Sequence, residues 1–150
     1  MDRTFQKLLQ SKIDLSSVGV EFREDNAPYF CTPKGASIFG WVGVDGIHFC
    51  FIRGFGSMVF AISPMNSAPN FLHPLARNFA DFLRLLLTCG DASALEQTWM
   101  WNEAQFRAFL QDNPPTQEQQ RILSELAEKM KLTRMEQPGA YIKELQTSVD

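Results

Sequence analysis

The alternation of apolar and polar positions is clearest in the first half of the chain, where it predicts an antiparallel β-meander. Asp45-Gly46 separates two apolar runs, and this dipeptide predicts a tight hairpin because a type I′ turn needs positive φ at both central residues. A glycine-rich turn at 54–56 follows the second run. That second run is apolar on both faces, which predicts a central strand covered on two sides. The three strands are expected at 36–44, 47–53 and 57–62.

Elsewhere the apolar residues recur every three or four positions, which predicts helices. A short helix is expected at 3–12, because four apolar residues share one face there: Phe5, Leu8, Leu9 and Ile13. Another is expected at 75–89, with Gly90 ending it in the left-handed conformation. The stretch 18–22 alternates and predicts a strand. The connection at 63–73 is rich in Pro, Asn and Ser, so we expect it to be irregular.

The last third of the chain is predicted to be helical. Helices are expected at about 116–131 and 140–146. Three residue pairs have the spacing of a capping box, in which a side chain and an amide three residues later bond reciprocally. The order of elements predicts an α+β fold, with a central antiparallel meander packed against helices, in a single domain spanning 1–150. The three pairs are Ser93 and Glu96, Asn102 and Gln105, and Thr116 and Gln119.

Composition and charge exclude several classes of protein. The 150 residues carry a net charge of −3 and no run of Lys or Arg, which argues against direct nucleic-acid binding. The first residues lack the apolar core of a signal peptide, and no apolar stretch is long enough to span a membrane. The three cysteines have no CxxC spacing, so we expect free thiols and a cytoplasmic location. Most of the 13 Phe residues should lie in the core.

No catalytic or metal-binding motif is visible in the sequence. His48 and Cys50 would share a face of a strand, but we interpret both as buried structural residues because no third orienting group accompanies them. His73 is placed in the loop before the second helix. We expect no metal, no cofactor and no catalytic residue, although residues distant in sequence could still form an enzyme site.

The three tryptophans are the best candidates for contacting a partner, because Trp is enriched at the centres of protein interfaces. Trp41 falls in the meander, and Trp99 and Trp101 lie between two helical segments. The alternative interpretation is that all three are partly buried core residues. Acidic residues near the last two, including Glu103, would suit a basic partner surface.

The stretch from residue 38 to residue 89 resembles the SUKH superfamily, the Smi/Knr-type immunity domains. The resemblance implies a sheet wrapped by helices, no catalysis, and a protein partner that is often a bacterial toxin domain with nuclease activity. It rests on a meander, a further strand and the start of a helix: FGWVGVDGIHFCF at 39–51, MVFAI at 58–62 and LARNFADFL at 75–83.

Three functional hypotheses follow from the sequence. The first is a non-catalytic protein-binding module of immunity or adaptor type, with a groove beside the meander. The second is a small-molecule-binding domain or an enzyme, with a pocket lined by some of the many Phe rings. The third is a component of a larger assembly, which would self-associate as its concentration rises.

Overall fold

The computed structural model describes residues 2–66 and 71–149 and confirms the α+β class. Four antiparallel strands form one sheet in which the spatial order follows the chain order. The second and third strands are therefore interior, and the first and fourth lie at the edges. The strands are β1 (Ala36–Trp41), β2 (His48–Ile52), β3 (Val59–Ile62) and β4 (Leu72–Ala76).

Helices precede and follow the sheet. Two predicted capping boxes are confirmed, at the starts of α3 and α4. The one proposed for Ser93 and Glu96 is wrong, because the Asp91 side chain caps that segment by accepting from the Ser93 amide. The α-helices are α1 (Arg3–Ser11), α2 (Phe79–Cys89), α3 (Glu103–Asp112), α4 (Gln117–Met130) and α5 (Pro138–Val149), with 3₁₀ segments at Ser16–Val18 and Ala92–Met100.

The predicted hairpin between β1 and β2 is confirmed. Asp45 and Gly46 have φ values of 55° and 69°, which is the backbone conformation that the turn requires. β2 is interior and covered on both faces, as its double apolar pattern predicts. Gly90 also ends α2 as expected, with φ of 80°.

The prediction for residues 63–76 is wrong in part. β4 pairs with β3 at Leu72–Ala76, where we expected an irregular connection and then a helix. His73 therefore lies on a strand, and α2 begins only at Phe79, after the Asn78 side chain caps its first turn. Residues 67–70 of the expected connection lie outside the described residues. The strand expected at 18–22 reduces to one bridge between Glu21 and Trp41.

The main hydrophobic core lies between one face of the sheet and the helices. It extends from Phe5 in α1 to Ile142 in α5, and Phe49 of β2 contacts Phe82 of α2 with ring centroids 5.1 Å apart. A smaller cluster on the opposite, outer face contains Cys50 and Phe60, with partly buried residues such as Cys31 packed against it. Among the described residues, no helix is both long and apolar enough to cross a membrane.

Candidate functional site

An open groove with a volume of about 740 Å³ lies between α1 and the edge strand β1. Three parts of the chain form its walls: the start of the protein through α1, the segment that follows Glu21, and the sheet with the turn after β2. We call this cavity the aromatic groove. Its lining residues are Asp2, Phe5, Leu9, Phe22, Arg23, Asn26, Ser37, Ile38, Phe39, Phe51, Gly56 and Ser57.

Phenylalanine rings form the apolar part of the groove. Phe5 is central: its ring centroid lies 6.4 Å from that of Phe22, 5.6 Å from Phe39 and 5.7 Å from Phe51. Phe5 and Phe39 are buried, whereas Phe22 is 37% exposed and Leu9 is 46% exposed. The groove therefore presents to solvent an apolar surface that is continuous with the core.

The wall that contains Phe22 is held in place by the Trp41 side chain. Glu21 pairs with Trp41 through two backbone hydrogen bonds, of 2.7 and 2.9 Å, and the chain then turns away from β1. The Trp41 indole N–H donates to the Asn26 side-chain oxygen at 2.8 Å. The Arg23 guanidinium lies 4.7 Å from the indole centroid and also pairs with Glu21.

The charged groups of the groove are already engaged within the protein. The Asp2 carboxylate accepts from the amides of Thr4 and Phe5 at the start of α1, and from the amide of Phe79 at the start of α2. Helix N-termini favour a negative charge, so this carboxylate neutralises two helix ends. Since Arg23 is paired with Glu21, the groove offers mainly apolar contact to a ligand.

The structure does not bring the predicted contact residues together. Trp41 is 6% exposed and lies opposite His48, which lies opposite Ile62, so all three occupy the outer face of the sheet. Trp99 stacks on the His73 imidazole with centroids 4.1 Å apart, and His73 lies opposite a residue of the main core. The sheet therefore separates Trp41 from Trp99.

The other two candidates have structural contacts among the helices. Trp101 is half-buried against the main core, with its ring 5.1 Å from both Phe106 and Phe109. One Glu103 carboxylate oxygen accepts from the Ala140 amide at 3.0 Å, which caps the start of α5. A role in partner binding for Trp41, Trp99, Trp101 and Glu103 stays a prediction.

His48 and Cys50 are fully buried on the outer face of β2. Burial lowers the pKa of His48 and raises the pKa of the Cys50 thiol to about 12, so both side chains are neutral at ordinary pH. The His48 ring bonds to the Gly46 carbonyl and the Thr32 hydroxyl. These contacts hold segment 29–35 over the sheet and offer no nucleophile to solvent.

No metal centre is evident in the described ranges 2–66 and 71–149, where no three His, Cys, Asp or Glu side chains are grouped to hold an ion. Comparison of the chain with protein-family models, curated proteins and solved structures finds no match. The aromatic groove is therefore identified by its geometry alone, as a concave, largely apolar site with a few polar groups at its rim.

One feature of the sequence, the width of the apolar face of α1, indicates this groove. Leu9 lies on the predicted apolar face of α1, yet the core covers only part of that face and leaves Leu9 at the groove. An apolar helix face wider than the core can cover indicates either a second packing partner or a binding surface.

Proposed function

We propose that this protein is a non-catalytic protein-binding module whose aromatic groove receives an apolar side chain of its partner. The observation that carries the proposal is the exposure of Phe22 and Leu9 beside the buried rings of Phe5 and Phe39. Covering this surface would remove apolar area from water, which is the main favourable term in protein association. Aromatic side chains of a partner fit such a pocket well.

The segment that contributes Phe22, Arg23 and Asn26 to the groove supports a partner with positive charge. Segment 21–25 carries three acidic residues, Glu21, Glu24 and Asp25, against the single cation Arg23. Glu24 and Asp25 are exposed to solvent. Complementary charge raises association rates and excludes wrong partners. The sequence resemblance to SUKH immunity domains agrees with this chemistry, and we extend the proposal to a basic toxin domain as the partner.

The state of the cysteines supports a reducing compartment. Cys31, Cys50 and Cys89 are all free thiols. Free thiols in this number are typical of proteins that act in the cytoplasm. A toxin-neutralising protein would act there if its target were a nuclease, and we include this location in the proposal.

Affinity capture with matched variants tests the proposal. Tagged wild-type protein, Phe22→Ser and Phe30→Ser would be used to capture proteins from the native lysate, with quantification by mass spectrometry. Phe30 is the control because it is 73% exposed and lies outside the groove lining. We expect one stoichiometric basic protein on wild type and on Phe30→Ser, and its loss on Phe22→Ser. Equal capture by all three proteins would exclude the groove as the binding site.

A second candidate function, binding of a small apolar molecule, is favoured by the groove volume. About 740 Å³ lies within the range of roughly 300–1,000 Å³ found for small-ligand sites. A neutral aromatic compound that binds only the folded state would raise the midpoint of thermal unfolding as its concentration rises. Screening a panel of such compounds against wild type and Phe22→Ser distinguishes this function, since only wild type should respond.

A further inference from the structure

The backbone N–H and C=O of Ile38 point away from β2, out of the edge of the sheet. Arg53 donates its amide to the Gly35 carbonyl, and Val42 donates to the Ile47 carbonyl. Antiparallel pairs alternate between hydrogen-bonded and non-hydrogen-bonded positions, so these two bonds fix the pattern along β1. Ile38 lies opposite Cys50 at a non-hydrogen-bonded position. Its N–H and C=O therefore point outward, and within the described residues no hydrogen bond from outside the sheet reaches them.

This edge already accepts one backbone partner. The outward amide and carbonyl of Trp41 both bond to Glu21, in the geometry that a full extra strand would use. The pairing stops after one residue, because the chain carrying Phe22 turns away from β1. A β-bulge at Ile38–Gly40 accompanies this divergence. The space left between the diverging chain and the outward groups of Ile38 is the aromatic groove.

We infer that the partner enters this groove as an extended segment that pairs with β1 at Ile38 as a fifth strand. Strand addition at an exposed edge is an established way to recognise peptides, with backbone hydrogen bonds providing affinity and side-chain pockets providing specificity. The inference rests on the proposed protein-binding function and specifies the form in which the partner binds. The occupant is a segment of a different protein with basic residues, because the exposed acidic residues Glu24 and Asp25 lie in the chain between the lining residues Arg23 and Asn26.

The register of β1 fixes which side chains of the partner enter the groove. Ile38 points to the outer face of the sheet, and Ser37 and Phe39 point to the face that carries the Phe5 ring. Side chains alternate along a strand, and paired residues share a face of the sheet. The side chain of the partner residue paired with Ile38 therefore lies on the outer face, and the side chains of its two neighbours point into the groove. The partner segment should therefore carry two apolar residues two positions apart, separated by a residue whose side chain can lie on the outer face of the sheet.

A designed peptide provides the probe for this binding mode. The peptide has seven residues, with capped ends, terminal lysines, and valine and phenylalanine alternating with threonine. A scrambled peptide of the same composition, with its apolar residues adjacent, is the control. Binding would be measured by titration of isotope-labelled protein in NMR, together with hydrogen exchange of the Ile38 amide. We expect the alternating peptide to bind and to protect that amide, and the scrambled peptide to do neither.

Two protein variants, Ile38→Pro and Phe22→Ser, separate the backbone contact from the side-chain contact, and a third serves as a control. Ile38→Pro removes the outward N–H and leaves the bonds between β1 and β2 in place, and proline is tolerated on edge strands. Ile38→Val keeps the N–H and is the matched control. Loss of one hydrogen bond in a bound peptide should weaken its affinity roughly tenfold. Phe22→Ser should weaken it as well, because the apolar pocket is then incomplete.

The outcomes distinguish this inference from the function on which it rests. One outcome is that Phe22→Ser binds the alternating peptide more weakly while Ile38→Pro and Ile38→Val bind it equally well. This outcome would support groove binding and refute strand pairing. No binding of the alternating peptide to wild type at millimolar concentration, or no protection of the Ile38 amide at saturation, would also overturn the inference. Dimerisation of wild type that Ile38→Pro abolishes would show that the occupant is a second copy. If Ile38→Pro does not fold, hydrogen exchange of the Ile38 amide in the wild-type protein with the peptide bound still tests strand pairing.

Discussion

Acidification should weaken the fold through His48, whose buried imidazole is held in its neutral form. Nδ1 lies 2.7 Å from the Gly46 carbonyl oxygen, and since a carbonyl only accepts, Nδ1 carries the proton. Nε2 then accepts from the Thr32 hydroxyl at 2.9 Å, while that hydroxyl accepts from the Tyr29 amide. A second proton would turn Nε2 into a donor, so the Thr32 hydroxyl could no longer donate to it, and would place a positive charge where burial disfavours the charged form.

The direction of the effect follows from the pKa. Burial lowers the pKa of His48 below its ordinary value of 6.5, and the Gly46 carbonyl offsets part of that shift. The unfolded chain therefore binds a proton near pH 6.5, and the folded protein binds it only at lower pH. The stabilisation is complete above pH 6.5 and is lost as the pH falls toward the folded pKa. One such group changes the free energy of unfolding by at most about 1.4 kcal/mol per pH unit.

Urea unfolding of wild type and His48→Gln, followed by tryptophan fluorescence between pH 7.5 and pH 5, measures this effect. Carboxylates contribute equally to both proteins, so the difference between their free energies of unfolding isolates the imidazole. We expect the free energy of unfolding of wild type to fall relative to that of His48→Gln as the pH falls below 6.5. A difference that stays constant over this range, or that grows on acidification, would refute the neutral, buried state of His48.

Three further predictions concern thiols, helix ends and the C-terminal helix. Burial raises the pKa of Cys50 and Cys89 to about 12, so iodoacetamide at pH 8 should modify the half-buried Cys31 first in the folded protein, as read by mass spectrometry. Asp2→Ala should lower the free energy of unfolding by about 1–2 kcal/mol through lost capping, and Asp2→Asn by less, as measured in urea. Tyr141→Phe should cost about 1 kcal/mol in the same assay, because its hydroxyl bonds to a carboxylate of α2 and to the backbone beside β4.

Local sequence signals predicted the centre of the sheet well. The Asp45-Gly46 turn and the two-sided apolar pattern of β2 depend on neighbouring residues alone, and both are confirmed. The capping boxes of α3 and α4 are confirmed for the same reason. A capping box needs a fixed spacing of three residues and no information about the rest of the fold.

The local pattern did not predict β4 because the strand contains a proline, which is excluded from interior strands but not from edge strands. Pro74 cannot donate to a ladder, so a proline normally argues against a strand. β4 is the edge strand, where one side of the backbone needs no partner, and Pro74 occupies a place opposite Phe60 next to a register shift. The position of a strand within the sheet is a tertiary property that the local pattern does not contain.

The aromatic groove depends on tertiary structure still more strongly. The sequence predicts that most Phe residues are core, and Phe5, Phe39 and Phe49 are buried as expected. Phe22 has the same side chain in a similar local pattern, yet it is exposed because the chain leaves β1 immediately after Glu21. One backbone divergence therefore both opens the groove and leaves the Ile38 edge unpaired. A substitution that extended the Glu21 pairing along β1 would close the groove and occupy the edge together, which is why the two proposed contacts of the partner belong to one site.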